Sequence, residues 1–236
     1  MFEGESDRRV PKKDWGLELM FEMCGMMIGH SILQEGPGLP CLSVCVYDYM
    51  VHGEVDQCYP VKEDIPLNIS SHELITFIEE MATALNEDQI DEILDKPANT
   101  YILNGCGWSL IEPITPSNKH HFLQHLMLDE VIVKRERNLK AFVRGLKVLG
   151  ITDMIRRHPA MTKKLFVTEN VLMTPDTFMK LVGSIQPKKT RELQAFGFFK
   201  DFVSSLGDSE LRCVLKFITG ASAIPPMGLE FPIELT

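Results

Sequence analysis

Residues 211–229 read LRCVLKFITGASAIPPMGL, and this stretch decides the fold. Leu211, Val214, Leu215 and Ile218 recur at three- and four-residue intervals, the period of a helix with one apolar face. Gly220 follows at the place where a helix end takes up the left-handed backbone that favours glycine. Pro225, Pro226 and Gly228 then forbid helix and favour a fixed turn. Taken alone, the stretch predicts a packed helix, a cap and a rigid turn.

The chain around it has 236 residues, 44% hydrophobic and 24% charged, an ordinary globular composition for one large domain or two small ones. Its net charge of −9 argues against nucleic acid as a partner, because neutralising phosphates needs a basic surface. The most apolar window, residues 17–33, is interrupted by Glu18, Glu22 and His30, so no membrane span is expected. The start, MFEGESDRRVPKKDW, lacks the apolar stretch of a secretory signal. With six cysteines and no such signal, reduced thiols in a cytoplasmic or nuclear protein are expected, not a disulfide framework.

In order, residues 1–14 read as an exposed entry segment with no regular element, as if the domain began before them. Asp14 can cap a helix over 15–34 that buries Leu17, Phe21, Cys24, Ile28 and Ile32. Gly25 and Gly29, one turn apart, leave room for another helix to approach closely, which would justify their cost of about 1 kcal/mol each against Ala. Residues 41–51 fit either a strand or a short helix. Ser70 or Ser71 can cap a helix carrying Leu74, Ile75, Ile78, Ala82 and Leu85, and Asn86 with Gln89 resembles a capping box. Residues 101–111 read as a hairpin around Asn-Gly-Cys-Gly. Ser117 or Asn118 starts a long helical region to Leu149, with a break or strand at 129–133 and a core stripe of Leu139, Phe142, Val143, Leu146 and Leu149. Short helices are expected at 151–157 and from Thr174, with Pro175 at the first helical position. Residues 183–190, GSIQPKKT, read as a linker, after which Phe196, Phe199, Phe202, Val203 and Leu206 open a second compact unit.

Candidate chemistry is sparse. Cys41, Cys45, His52 and Cys58 are ligand types for zinc, but the spacing matches no standard site, and buried free thiols are the better reading. His121 and His125 are one turn apart, yet Phe122 stands where a zinc hydrolase needs its glutamate, so no catalytic zinc site is expected, and His120 and His121 read as a wet helix face. No phosphate loop and no GxSxG elbow is present. Lys134, Arg135, Arg137 and Lys140, with Glu136 among them, read as a solvated face, and Lys188, Lys189 and Arg191 as a soluble hinge.

The stretch LKFITGASAIPPMGL resembles the start of the C-terminal lobe of HECT-type ubiquitin-protein ligases. The resemblance is carried by Leu215, Phe217, Ile218, Thr219, Gly220, Ala221, Pro225 and Gly228, with Phe199 upstream at the place of an aromatic in that lobe's first helix. Residues 21–33 and RNLKAFVRGLKVLG at 137–150 resemble N-lobe segments, and the chain is most similar to the HECT ligases that carry PHD-type fingers and are described as cell-cycle-phase-specific.

The resemblance implies an α+β, mainly α, bilobal fold. It would hold most of a helical N-lobe at 1–183, a hinge at 184–190 and the start of an α/β C-lobe at 191–236. It implies ubiquitin transfer from a conjugating enzyme, through a cysteine thioester, to a substrate lysine. Partners would then be a conjugating enzyme, ubiquitin and a protein substrate, with no cofactor, no nucleic acid and no membrane. Phe217, Thr219, Gly220, Pro225 and Gly228 would form the signature loop. The family's acceptor cysteine lies downstream of that loop in a Thr-Cys pair, which these residues do not contain. An N-terminally incomplete, C-terminally truncated region without its own acceptor is therefore expected; the alternative is a non-catalytic module that binds conjugating enzyme or ubiquitin.

Overall fold

The computed structural model describes residues 1–108, 113–168, 173–182, 190–219 and 233. Contacts divide the chain into two compact units, Met1–Thr168 and Glu169–Thr236. The division falls ahead of the expected hinge at 184–190, of which residues 184–189 lie outside the described residues, as does Gly183.

The first unit opens with β1 (Phe2–Glu3) and β2 (Val10–Pro11), an antiparallel pair and the sheet found among the described residues. Residues 1–14 are therefore not an exposed entry segment. Arg9 donates its N–H to the carbonyl of Cys41 at 2.7 Å, and its own carbonyl accepts from Ser43 N–H at 3.0 Å, while Val10 is fully buried. Phe2 packs edge-on against Phe21 and Phe142, with ring centroids 5.3 and 5.7 Å apart. The sequence cue was faint because two-residue strands have no periodicity to read.

Helix α1 (Glu18–Leu33) starts after Leu17, with no side-chain cap, so Asp14 does not cap it. It buries Phe21, Gly25 and Gly29 against α7 (Glu136–Val148), the most extensively paired helices of the molecule. The expected close approach is real. A Cβ on Gly25 would stand 2.3 Å from the carbonyl oxygen of Phe142, and one on Gly145 would stand 2.0 Å from that of Glu22. Met20, Met23 and Met27 lie on the outer side of α1, which is apolar on both faces.

Residues 41–51 resolve as helix: α2 (Val44–His52) is capped by Ser43, whose hydroxyl accepts Val46 N–H at 3.2 Å. Gly53, at φ +75°, ends it in the left-handed conformation. Cys45, Val46, Tyr47, Tyr49 and Met50 are buried. Helix α3 (Ile69–Thr83) is capped by Asn68, not by Ser70 or Ser71; the Asn68 carboxamide accepts Ser71 N–H at 2.9 Å. Its buried face is Leu74, Phe77, Ile78 and Met81, whereas Ala82 and Leu85 are exposed.

Helix α4 (Glu87–Leu94) is capped by Asn86 as expected, but Gln89 reaches one residue further back than a capping box, to Leu85. Asn86 Oδ1 accepts Gln89 N–H at 2.9 Å, and Gln89 Oε1 accepts Leu85 N–H at 2.7 Å. Asn86→Ala is expected to cost the first unit about 1 kcal/mol in a urea titration. A loss below about 0.3 kcal/mol would show that the cap is redundant.

The expected hairpin at 101–111 is instead helix α5 (Thr100–Gly105), with residues 109–111 outside the described ones. The Asn-Gly pair ends a helix here; it does not turn a strand, because no β-branched run follows it for a ladder. Helix α6 (Lys119–Val131) breaks into a 3-10 turn at Val133–Arg135 before α7, as the β-branched run suggested. Leu139, Phe142 and Leu146 of α7 are fully buried, and Gly150 (φ +74°) separates α7 from α8 (Ile151–Arg157). Helix α9 (Pro159–Thr162) closes the unit's helical part, with Tyr47 donating its hydroxyl to the Pro159 carbonyl at 2.6 Å.

The second unit holds α10 (Pro175–Leu181), α11 (Thr190–Ser205) and α12 (Asp208–Thr219). Thr174 caps α10 by accepting Thr177 N–H at 3.1 Å, ahead of Pro175. Met173, Phe178, Val182, Val203, Leu211, Leu215 and Ile233 share one core. Of the five residues expected to open a second unit after the linker, Val203 is buried, Phe196, Phe199 and Leu206 are half-buried and Phe202 is exposed. No helix among the described residues is long and apolar enough to cross a membrane.

Candidate functional site

The signature stretch is built on α12. Asp208 accepts the Met173 N–H and pairs with Arg212 Nε at 3.0 Å, anchoring the start of the helix. Leu211 and Leu215 are buried and Val214 half-buried, as the spacing requires, but Ile218 is 40% exposed. Phe217 points outward, 91% exposed, and Thr219 folds its hydroxyl back onto the Leu215 carbonyl at 2.8 Å. The described part of the signature thus sets a bare phenyl ring near the end of a helix whose first residue is tied to Met173 and Arg212. Gly220, Ala221, Pro225, Pro226 and Gly228 lie outside the described residues.

Five of the six thiols are at least partly enclosed. Burial pushes the thiols of Cys24 and Cys41 above the usual cysteine range. Cys45 is pushed up further, first by its hydrogen bond with Cys58 and then by burial. Cys58 and Cys106 donate to the backbone carbonyls of Glu54 and Leu103 at 3.4 and 3.2 Å. Thiolate, the nucleophilic form, is disfavoured wherever the pKa rises. Cys213 is exposed on α12. Among the described residues no three His, Cys, Asp or Glu side chains gather to hold a metal; Cys45 and Cys58 meet each other, and His52 is exposed.

His121 and His125 both turn toward Trp108, with ring centroids 5.5 Å from the indole. His120 and His121 are exposed as expected, while His125 is half-buried with Nε2 2.8 Å from the Cys106 carbonyl. Phe122 and Phe77 complete an aromatic cluster that pins α6 to α3. These histidines therefore serve packing at the α5–α6 junction.

Arg135 also departs from the sequence reading. It is fully buried, not part of a solvated face. Its Nη1 donates to Glu3 Oε1 at 2.6 Å and to the Pro11 carbonyl at 3.0 Å, and Nη2 reaches Glu130 at 3.3 Å. Glu130 also accepts Lys13 at 3.1 Å and Lys134 at 3.2 Å. Asn138 Nδ2 holds the carbonyls of Lys12 and Asp14 at 2.7 and 2.9 Å. One buried cation and one amide thus lock the N-terminal segment onto α7. The available signal was position: Arg135 follows the apolar run at 131–133 inside a helix break, where its side chain turns inward.

Nearby, Tyr49 donates to Glu136 at 3.3 Å, and burial together with that carboxylate pushes its phenol up to about 12. Lys140 and Arg137 stay exposed, paired with Glu136 at 2.9 Å and Glu18 at 3.0 Å, and Arg137 lies 4.2 Å above the ring of Trp15.

The family described as HECT-domain (ubiquitin-transferase) matches residues 1–236, so the chain belongs to the HECT family. Among its relatives, the G2/M phase-specific E3 ubiquitin-protein ligases of Macaca fascicularis and Homo sapiens are each 22% identical over 236 residues. Those alignments cover 98% of this chain and 32% of each relative. The protein of the same name in Gallus gallus is 23% identical over 237 residues, covering 98% of this chain and 31% of its own. The chain thus spans about a third of the length of the curated relatives it matches.

Proposed function

We propose that this chain takes part in ubiquitin transfer by receiving a ubiquitin-charged conjugating enzyme, and that the acceptor thiol is not one of its six cysteines. The family match over all 236 residues carries this reading. In the reaction, a cysteine thiolate attacks the conjugating enzyme's thioester carbonyl and releases that enzyme's thiolate. A substrate lysine amine then attacks the new thioester and releases the acceptor thiol. Five cysteines here are enclosed, three of them with thiolate disfavoured, and none of the six follows a threonine. The same thiol environments favour a second reading, a module that binds conjugating enzyme or ubiquitin without accepting the thioester. Both readings place the chain in the cytoplasm or nucleus, where free thiols stay reduced.

We propose that the conjugating enzyme docks on the segment around residues 60–115. Tyr59, Leu67, Leu85 and Tyr101 are large apolar side chains left bare there, the last two 82% and 84% exposed. Bare aromatic and aliphatic side chains are the usual anchors of a protein interface. Calorimetric titration against a panel of conjugating enzymes is expected to find saturable binding. Leu85→Asp and Tyr101→Asp are expected to weaken it at least about tenfold, the loss of a hot-spot side chain. Wild-type affinity in both variants would remove the docking assignment.

A further inference from the structure

Helix α7 carries Lys140, Arg144 and Lys147 at i, i+4 and i+7, on a face turned away from its buried Leu139, Phe142 and Leu146. Beside that face, the end of α2 and Arg156 of α8 complete a concavity of about 330 Å³. Lys140, Arg144, Lys147 and Arg156 line it together with Tyr49 and Thr152, and no carboxylate does. Such a gathering is unusual on a chain of net charge −9.

Two of the cations are held at the edge: Lys140 by Glu136 at 2.9 Å and Arg144 by Glu22 at 3.1 Å. Lys147 and Arg156 have no ion-pair partner among the described residues. Gly53 shapes the wall. Arg156 Nη2 lies 3.1 Å from where a Cβ on residue 53 would stand, so a side chain there would crowd the guanidinium. Arg156 thus lies beside the C-terminal end of α2, whose partial negative charge favours a guanidinium there.

We propose that this concavity binds a phosphate group, carried either by a small phosphate ester or by a phosphorylated side chain. A phosphate dianion brings three acceptor oxygens to the Arg156 guanidinium and the Lys147 ammonium, with Lys140 and Arg144, held by Glu136 and Glu22, at the rim, an arrangement that a single carboxylate matches less well. The volume takes one phosphate with a ring or short chain attached, and the acidic remainder of the surface turns away a nucleic-acid backbone.

The test is calorimetric titration of the 236-residue chain with sodium pyrophosphate and with a phosphoserine peptide. A glutamate-rich peptide of equal charge serves as control. Saturable one-to-one binding of a phosphorylated probe is expected, weakened at least tenfold in Lys147→Gln and in Lys147→Gln/Arg156→Gln, and unchanged in Arg157→Gln. Lys147 is exposed and unpaired, so its replacement is expected to leave the thermal melt where it is. Binding of pyrophosphate alone assigns a small ester; binding of the phosphopeptide alone assigns a phosphorylated side chain. No saturable binding of either probe overturns the proposal. So does equal weakening by Arg157→Gln, or equal affinity for the glutamate peptide.

Discussion

Gly145→Ala is expected to destabilise the first unit by about 3 kcal/mol or more, the upper end of what overpacking costs. The added methyl would stand 2.0 Å from the Glu22 carbonyl oxygen and 2.9 Å from Met26 N, both backbone atoms of α1. Backbone cannot step aside as a side chain can, so α1 and α7 must move apart and open the packing around Phe21 and Phe142. Alanine's better helix propensity returns only about 1 kcal/mol. Gly29→Ala is the built-in comparison. Its methyl meets side-chain carbons of Ile151 and Leu149, not backbone, at 3.2 and 3.3 Å, so a loss of about 1 kcal/mol or less is expected. Both tryptophans of the chain, Trp15 and Trp108, belong to the first unit, so urea titrations followed by tryptophan fluorescence read that unit. Equal losses at the two positions would show that the helices are not in backbone contact.

Arg135→Ala is expected to cost about 3–5 kcal/mol, the usual result of removing one partner from a buried charge network. Glu3 and the Pro11 carbonyl lose their donor, and Glu130, almost fully buried, keeps only Lys13 and Lys134. Arg135→Lys keeps the charge but not the fork that serves three acceptors, so it is expected to recover less than half of the loss. Hydrogen exchange gives a local readout. The Arg9 and Ser43 amides, bonded to Cys41 and Arg9 carbonyls, should lose protection before the amides inside α7.

The network also has a pH signature. Burial raises the Glu130 pKa, yet Lys134, Lys13 and Arg135 outweigh it and hold the carboxyl below its ordinary value. A depressed folded pKa stabilises above the unfolded value, about 4.3, and that contribution fades as pH falls through the folded value. In Arg135→Ala, part of this acid-sensitive stability is expected to be already missing, so its melting temperature should fall less steeply below pH 4.3. A parallel fall in both proteins would show that Arg135 does not act on Glu130.

How much could be read beforehand depended on whether a residue's fate is local. Asn86, Thr174 and Pro175, and the stripe through Leu139, Phe142 and Leu146 all depend on neighbours within one or two turns, and they fold as expected. Gly25 announced a helix crossing because glycine inside a helix costs stability that packing must offset; its partner Gly145 is 120 positions away and carried no separate mark. The misread elements are those decided at a distance. Residues 1–14 look like a tail until Arg135 and Asn138 supply their donors. Residues 101–107 look like a strand and turn of a hairpin until Phe122 packs on Trp108 and His125 meets the Cys106 carbonyl. The signature is legible for a different reason: Phe217 and Thr219 resemble a family pattern, while their exposed setting on α12 suggests no chemistry by itself.

The central claim of the proposed function is that this chain takes part in ubiquitin transfer without holding the acceptor. The direct measurement mixes the 236-residue chain with activating enzyme, ubiquitin and a conjugating enzyme that binds it, and separates the products without reductant. The conjugating enzyme's own thioester is expected to persist, with no reductant-sensitive ubiquitin adduct on the chain. An adduct that reductant removes, and that Cys213→Ala abolishes, would contradict the account.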